Sequence, residues 1–301
     1  MDALTLPLPF DPAGLHGLSE KLIVSHHQNN YGGAVKRLNA IRAQLAGTAF
    51  AATPGYQLNG LKREELIATN SMLLHELYFA SLGGDGASMA PAMQLALDAN
   101  FGSVARWREE FVACAKAMGG GSGWMLLCFQ PREGTLVNQW ASDHTHAVAG
   151  GVPVLALDMY EHAYHLDRGA AAGAYVDAFM ANIDWQAVYS RYQAAVHAAS
   201  EPLGTDAEAL ADATLLDVRR AGAFAQAAAM LPGARWCGPA VVGDWASELG
   251  GGKPVVVYCV YGHEVSRTTA LRLRAAGVEA RFLRGGIDAW TSAGRPLADK
   301  P

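Results

Sequence analysis

Apolar positions fall in two different rhythms along this chain, and the change of rhythm divides it. Residues 1–18 are Pro-rich and extended. Ser19 then caps a helix that the spacing carries to about Ala46, with Leu38, Ile41 and Leu45 as an apolar stripe near its end. Gly32-Gly33 interrupts it, so a bend or a close helix contact is expected there. A loop holds Thr53-Pro54-Gly55, and a second helix is predicted from about Lys62 to Leu82, stopped by Gly83-Gly84. The chain thus opens as an antiparallel helical hairpin. Pro91 to Met118 is again helical, with Phe101-Gly102-Ser103 as the turn between two helices. The run Gly119-Gly120-Gly121-Ser122-Gly123-Trp124 breaks it. Met125–Phe129 and Thr135–Trp140 then read as strands around the turn at 131–134, and Val152–Leu157 as a buried strand after Gly150-Gly151. Residues 173–195 close this half with helix, including Tyr175, Phe179, Trp185, Tyr189 and Tyr192.

Beyond it the pattern changes. The Ala-rich stretch around Glu201-Pro202-Leu203-Gly204 reads as a linker, placed at 196–205. Strands are expected at Thr214–Arg219, Pro254–Tyr258 and Ala280–Leu283, with a helix from Ser266 to Ala276 ending at Gly277. Strands alternating with helices predict a small parallel α/β sheet. The division expected is 1–88 and 89–195 as two halves of a first domain, then 206–301 as a second.

Length and charge sharpen this. A chain of 301 residues, 51% hydrophobic, is long for one core and favours two domains. A net charge of -5 argues against nucleic acid or an anionic membrane as partner. With no apolar leader, no long apolar run, and no C-x-x-C among Cys114, Cys128, Cys237 and Cys259, a reducing cytoplasm is expected.

Candidate chemistry begins at Asp158 and His162, four residues apart at the end of the buried strand. On a helix or a strand-to-helix corner that spacing puts a carboxylate and an imidazole on one side, a pair suited to a first-row metal. The flanking Asp158-Met159-Tyr160-Glu161-His162-Ala163-Tyr164 resembles the signature of the iron/manganese superoxide dismutases, with Tyr160 in place of a tryptophan. The hairpin and the Gly-Ser-Gly-Trp ending at Trp124 also sit where that family has them. The resemblance covers residues up to about Gln193. It implies His26, His75, Asp158 and His162 as ligands of one iron or manganese ion per subunit, superoxide as substrate, and dioxygen and peroxide as products. It further implies a homodimer or a dimer of dimers, with Glu161 orienting His162 of the partner subunit.

Several positions depart from the family pattern. Asn30 stands where the family has a second histidine and Ala34 where it has a gateway tyrosine; at four and eight residues after His26, both should face the metal pocket. Tyr31 is no simple substitute, being turned about 140° from His26 on a regular helix. Phe79 replaces a tryptophan, Ser71 stands where iron-type members carry a glutamine, and His165 stands opposite Asn30 across the expected interface. An outer-sphere proton carrier is expected from Ala141–His146. His144 is the first choice, with Asp143 or His146 as fallbacks.

Leu216-Asp217-Val218-Arg219, Leu231-Pro232-Gly233-Ala234, Val257-Tyr258-Cys259 and Gly285–Trp290 together resemble a rhodanese domain over about 206–298. Cys259 is its expected catalytic residue, followed by the sulfur-binding loop Val260, Tyr261, Gly262, His263, Glu264, Val265 and Ser266, with a sulfur donor as partner. Glu264 lies where an arginine usually precedes the helix, and Arg267 comes after it. The fold expected is multidomain: an N-terminal α-helical hairpin plus an α/β (α+β) dismutase fold, then a C-terminal α/β rhodanese-like domain. Two alternatives stay open: a mononuclear metal enzyme acting on a sulfur species carried by Cys259, and a metal-bearing dimerisation scaffold without superoxide activity.

Overall fold

A computed structural model describes residues 2–210, 212–249 and 252–300. Helix α1 (Glu20–Ser25) starts where the Ser19 hydroxyl accepts the Leu22 N–H at 3.1 Å. The chain then passes through a π-helical turn, His26–Tyr31, into α2 (Gly32–Ala46). The irregularity expected at Gly32-Gly33 therefore lies one turn earlier, on the histidine-bearing segment, and the two glycines open a regular helix. A π turn widens the helix and re-aims the side chains on it. Helix α3 (Gly55–Phe79) starts ahead of the expected Lys62 and stops short of Leu82, with Pro54 as its N-cap. Its first turns are largely exposed, so no apolar stripe marks them in the sequence. Together α2 and α3 form the hairpin.

Helices α4 (Pro91–Phe101) and α5 (Val104–Ala117) follow, the second capped by Ser103, whose hydroxyl accepts the Arg106 N–H. Strands β1 (Trp124–Gln130), β2 (Thr135–Ala141) and β3 (Val152–Asp158) form an antiparallel sheet in the order β2-β1-β3. Pairing of Trp124 with Asp158 sets the last residue of β3 against the first of β1. Gly123 makes that join: its φ is +129°, and a Cβ there would meet the Ala141 carbonyl at 2.0 Å, while its own carbonyl accepts the Met159 N–H. After a tight corner come α6 (His165–Arg168), α7 (Ala172–Ala181) and α8 (Trp185–Ser200). Asp184 caps α8 by accepting the Gln186 and Ala187 N–H groups. Partway along α8, Arg191 donates to the Val154 and Ala80 carbonyls and to Ser81 Oγ, joining β3 to the end of α3.

The stretch read as a linker is structured. Helix α8 continues to Ser200, and β4 (Gly204–Thr205) is already the edge strand of the second sheet. The remaining elements are β5 (Thr214–Asp217), α9 (Ala221–Gln226), β6 (Ala229–Met230), β7 (Arg235–Trp236), α10 (Val242–Trp245), β8 (Val255–Tyr258), α11 (Glu264–Ala275), β9 (Ala280–Leu283), α12 (Gly286–Ser292) and β10 (Ala298–Asp299). The sheet is parallel, in the order β4-β9-β8-β5-β7, and β6 pairs with β10. Alternation along β8 feeds two apolar layers: Val255 and Val257 pack with Leu216, Leu273 and Phe282, while Val256 and Tyr258 pack with Leu231, Leu283 and Ile287. Helix α11 begins at Glu264 rather than Ser266. It packs on α8, and Arg272 reaches across to the Asn100 side chain and the Gly134 carbonyl.

Candidate metal centre and cysteine cavity

Four elements bring His26, His75, Asp158 and His162 together: the π turn, α3, the end of β3 and the corner that follows. One potential donor atom from each lies within 4.8 Å of the other three. The Nε2 atoms of His26 and His162 are each 3.1 Å from Asp158 Oδ2, and His75 Nε2 is 3.4 Å from the same oxygen. The other carboxylate oxygen accepts the Tyr160 N–H at 2.8 Å, which fixes the plane of the group.

His75 shows what this arrangement is for. Its Nδ1–H donates to the Ser71 carbonyl at 2.6 Å, so the neutral ring presents a lone pair at Nε2. That atom is buried without a hydrogen-bond partner and faces a carboxylate oxygen. Lone pair against carboxylate is repulsive unless a cation lies between them. Burial lowers the His75 pKa to about 3 and lowers His26 as well, leaving both rings neutral as metal ligands must be. Burial opposes ionisation of Asp158, but the His162 and His26 imidazoles outweigh it and hold the carboxyl well below the usual range. Three imidazole nitrogens and one carboxylate, all buried but His162, fit a first-row transition ion.

The walls are aromatic. Phe79 lies 5.1 Å from His26 between ring centres, and the unpredicted Tyr78 lies 5.0 Å from it and hydrogen-bonds Tyr175 behind. Tyr160 is stacked between His144 and His162, at 4.8 and 5.5 Å and 13° from each. A cleft of about 380 Å³ opens over His75 and His162, lined by Asn30, Ala34, Ser71, His144 and Tyr160. Asn30 and Ala34 both line this cleft, four and eight residues beyond His26 across the π turn. Arg37, one turn beyond Ala34, also lines this cleft and pairs with Glu64. Sequence reasoning passed over it, although the three-residue step from Ala34 was the available signal. Tyr31 is buried but turned aside: its hydroxyl donates to Glu76 and accepts the Leu6 N–H.

His144 stands in the cleft wall, 6.3 Å from the His75 ring, outside the ligand set. Its Nδ1 accepts the Trp124 indole N–H at 3.0 Å, which leaves the proton of the neutral ring on Nε2. The two fallbacks lie elsewhere. Asp143 caps Thr145, and His146 sits half-exposed on the Trp140 face. Glu161 and His165 are exposed on the outside of the corner.

In the second domain Cys259 directly follows β8, with its Sγ 3.2 Å from Ser266 Oγ. Gly286 lets the chain pass close by: its φ is +59°, and a Cβ would meet the Cys259 carbonyl at 2.4 Å. Glu264 does not point at the sulfur loop alone. Its carboxylate accepts from the Tyr189 hydroxyl and Gln193 Nε2 of α8. Arg267 is also drawn to the first domain, donating to Ser200 Oγ and Glu201 and stacking on Phe282. Two arginines line the cysteine cavity, Arg219 and Arg220; Arg220 lies on the turn after β5 and carried no motif signal.

Comparison with known proteins gives two family matches. A model described as iron/manganese superoxide dismutases, C-terminal domain, matches residues 89–191, and one described as a rhodanese-like domain matches residues 200–293. A protein of Cupriavidus metallidurans named superoxide dismutase [Fe] is 66% identical over 190 residues, covering 63% of this chain and 96% of its own. Superoxide dismutase [Mn] 1 of Halobacterium salinarum is 35% identical over 197 residues, with 63% and 94% covered. Superoxide dismutase [Fe] of Aquifex pyrophilus is 33% identical over 195 residues, with 62% and 90% covered.

Proposed function

The chain belongs to the iron/manganese superoxide dismutase family and carries a rhodanese-like domain, and from that premise we propose that His26, His75, Asp158 and His162 hold its one iron or manganese ion. The protein is an oxidoreductase that converts superoxide to dioxygen and hydrogen peroxide. When bound, the ion supplies one-electron redox chemistry, taking an electron from one superoxide and giving it to the next. The observation that carries the ligand assignment is the unpartnered His75 Nε2, aimed with two other imidazole nitrogens at one buried carboxylate oxygen.

The surrounding residues set the conditions. The Ser71 carbonyl fixes the tautomer and plane of His75. The Tyr160 N–H does the same for Asp158, and the Tyr160 ring holds His162 from its face. Trp124 orients His144 so that a donor N–H is available at the cleft wall, and His144 is placed to hand protons to the peroxide being formed. Ala34 and Asn30 leave the mouth wider than a tyrosine and a histidine would. Half-buried Asn30 with exposed Glu161 and His165 supports a subunit interface there, in a homodimer or a dimer of dimers. The sulfur-handling role of Cys259 rests on its place in the wall of a cavity, beside Ser266 and ahead of α11. A cytoplasmic location is part of the same reading; among the described residues no helix is long and apolar enough to cross a membrane.

The test is superoxide decay by protein loaded with iron or manganese, against metal-stripped protein and His75→Ala. Decay should track bound metal, and His75→Ala should lose both metal and thermal stability, because ligation stabilises the folded state. Full metal in His75→Ala, or loaded protein without superoxide decay, contradicts the reading.

A further inference from the structure

The two domains together enclose the cavity above Cys259. It measures about 320 Å³ and is lined by Cys259, Arg220 and Glu264, by Tyr189 from α8 and by Ala92 from α4. That is at the lower end of small-molecule sites. The dismutase half therefore supplies part of the wall of the second domain's site.

Two opposite charges line this space, and among the described residues neither forms an ion pair. Arg219 is committed to Asp217 and the Ala229 carbonyl. Its neighbour Arg220 is half-buried and has no hydrogen-bond or ion-pair partner among the described residues. Glu264 is only 5% exposed, and its two partners, Tyr189 at 2.7 Å and Gln193 at 3.1 Å, are neutral donors. The Tyr189 hydroxyl, shifted upward first by burial, feels both charges, raised by Glu264 and lowered by Arg220. Both therefore lie close to one wall residue. With Glu264 buried, Arg220 half-buried and neither in an ion pair, a ligand carrying both signs gives each a direct partner. A doubly anionic sulfur donor would satisfy Arg220 and be repelled by Glu264.

Resting on the sulfur-handling reading of Cys259, we propose that this cavity takes a small zwitterionic sulfur compound of the amino-acid persulfide class. Its carboxylate pairs with Arg220, its ammonium with Glu264, and its outer sulfur lies against Cys259 Sγ. In the transfer, the cysteine sulfur forms a bond to the outer sulfur of the donor. The donor's S–S bond breaks, and its electron pair leaves on the inner sulfur, which takes the thiol proton given up by Cys259. A persulfide on Cys259 and a free amino-acid thiol result, with no net oxidation. Glu264 and Arg220 set the choice of donor, and Tyr189 and Gln193 of the other domain position Glu264.

The experiment uses the full-length, metal-loaded protein and reads the initial rate at which the Cys259 peptide gains one sulfur atom by mass. The donors are cysteine persulfide, its N-acetyl form lacking the ammonium, its methyl ester lacking the carboxylate, and thiosulfate. Cysteine persulfide should react on the order of tenfold faster than any of the other three. Glu264→Gln should erase the preference over the N-acetyl form and keep that over the ester. Arg220→Gln should do the reverse, so each variant's surviving preference shows its site still folded. Equal rates for the first three donors, or fastest transfer from thiosulfate, overturn the zwitterion assignment while leaving sulfur handling intact. No sulfur gained from any donor removes the sulfur role of Cys259 and the assignment with it.

Discussion

His144 is the proposed proton carrier of the cleft. The sequence singled it out from the segment Ala141–His146, but three polar candidates there could not be separated without the tertiary contact that separates them. Only His144 meets the Trp124 indole and the Tyr160 ring, and it lies beside the cluster of three histidines and Asp158 rather than within it. His144→Ala should keep the metal and lower turnover by on the order of a hundredfold, the scale of a positioned proton carrier. Metal analysis beside superoxide decay checks this. Loss of metal would make His144 a ligand, and unchanged turnover would make it a wall residue. The cluster of His26, His75, Asp158 and His162 was legible because each sits at a fixed place in a motif. Arg220 was not legible, because its neighbours at the cysteine cavity come from three other segments of the chain.

At the scale of elements, α8 does more than close the first domain. Arg191 on one turn holds β3, whose last residue is Asp158, while Tyr189 and Gln193 on the adjoining turns hold Glu264. Burial lowers the Arg191 pKa to about 10, and its guanidinium is stabilised by hydrogen bonds to the Val154 and Ala80 carbonyls and Ser81 Oγ. Arg191→Ala leaves buried acceptors without donors and should cost about 2–4 kcal/mol of stability. Denaturant unfolding reads it, and a loss under about 0.5 kcal/mol, the size of an ordinary surface substitution, would show that β3 does not depend on this arginine. Periodicity found the helices but misplaced their ends. The exposed first turns of α3 carry no apolar stripe, and the π turn at His26–Tyr31 leaves no mark in composition. The stretch 196–205 read as a linker because alanine and Glu201-Pro202-Leu203-Gly204 look alike at a helix end and in a loop. Pairing of β4 with β9 distinguishes them, and that pairing spans most of the second domain.

The whole molecule carries many buried phenols: Tyr31, Tyr78, Tyr175 and Tyr192 in the first domain and Tyr258 in the second. Burial raises each of them above its ordinary value of 10.0, Tyr31 to about 12. An acid with a raised folded-state pKa keeps its proton after the unfolded chain has lost it. The folded state then binds more protons, so stability falls as pH rises from about 10 towards 12. Denaturation midpoints should drop between pH 9 and pH 11, by less in Tyr192→Phe once its own lost packing is subtracted at pH 9. A flat or rising midpoint would mean these hydroxyls are not held from water as described.

One ion bracketed by His26, His75, Asp158 and His162 is the proposed centre of the chemistry. Anomalous diffraction from crystals of the metal-loaded protein, recorded at the iron and manganese absorption edges, tests this most directly. One strong peak per chain, within bonding distance of the three imidazole Nε2 atoms and an Asp158 oxygen, is the result predicted. A peak elsewhere, or none at this cluster in protein that carries metal in solution, would contradict it.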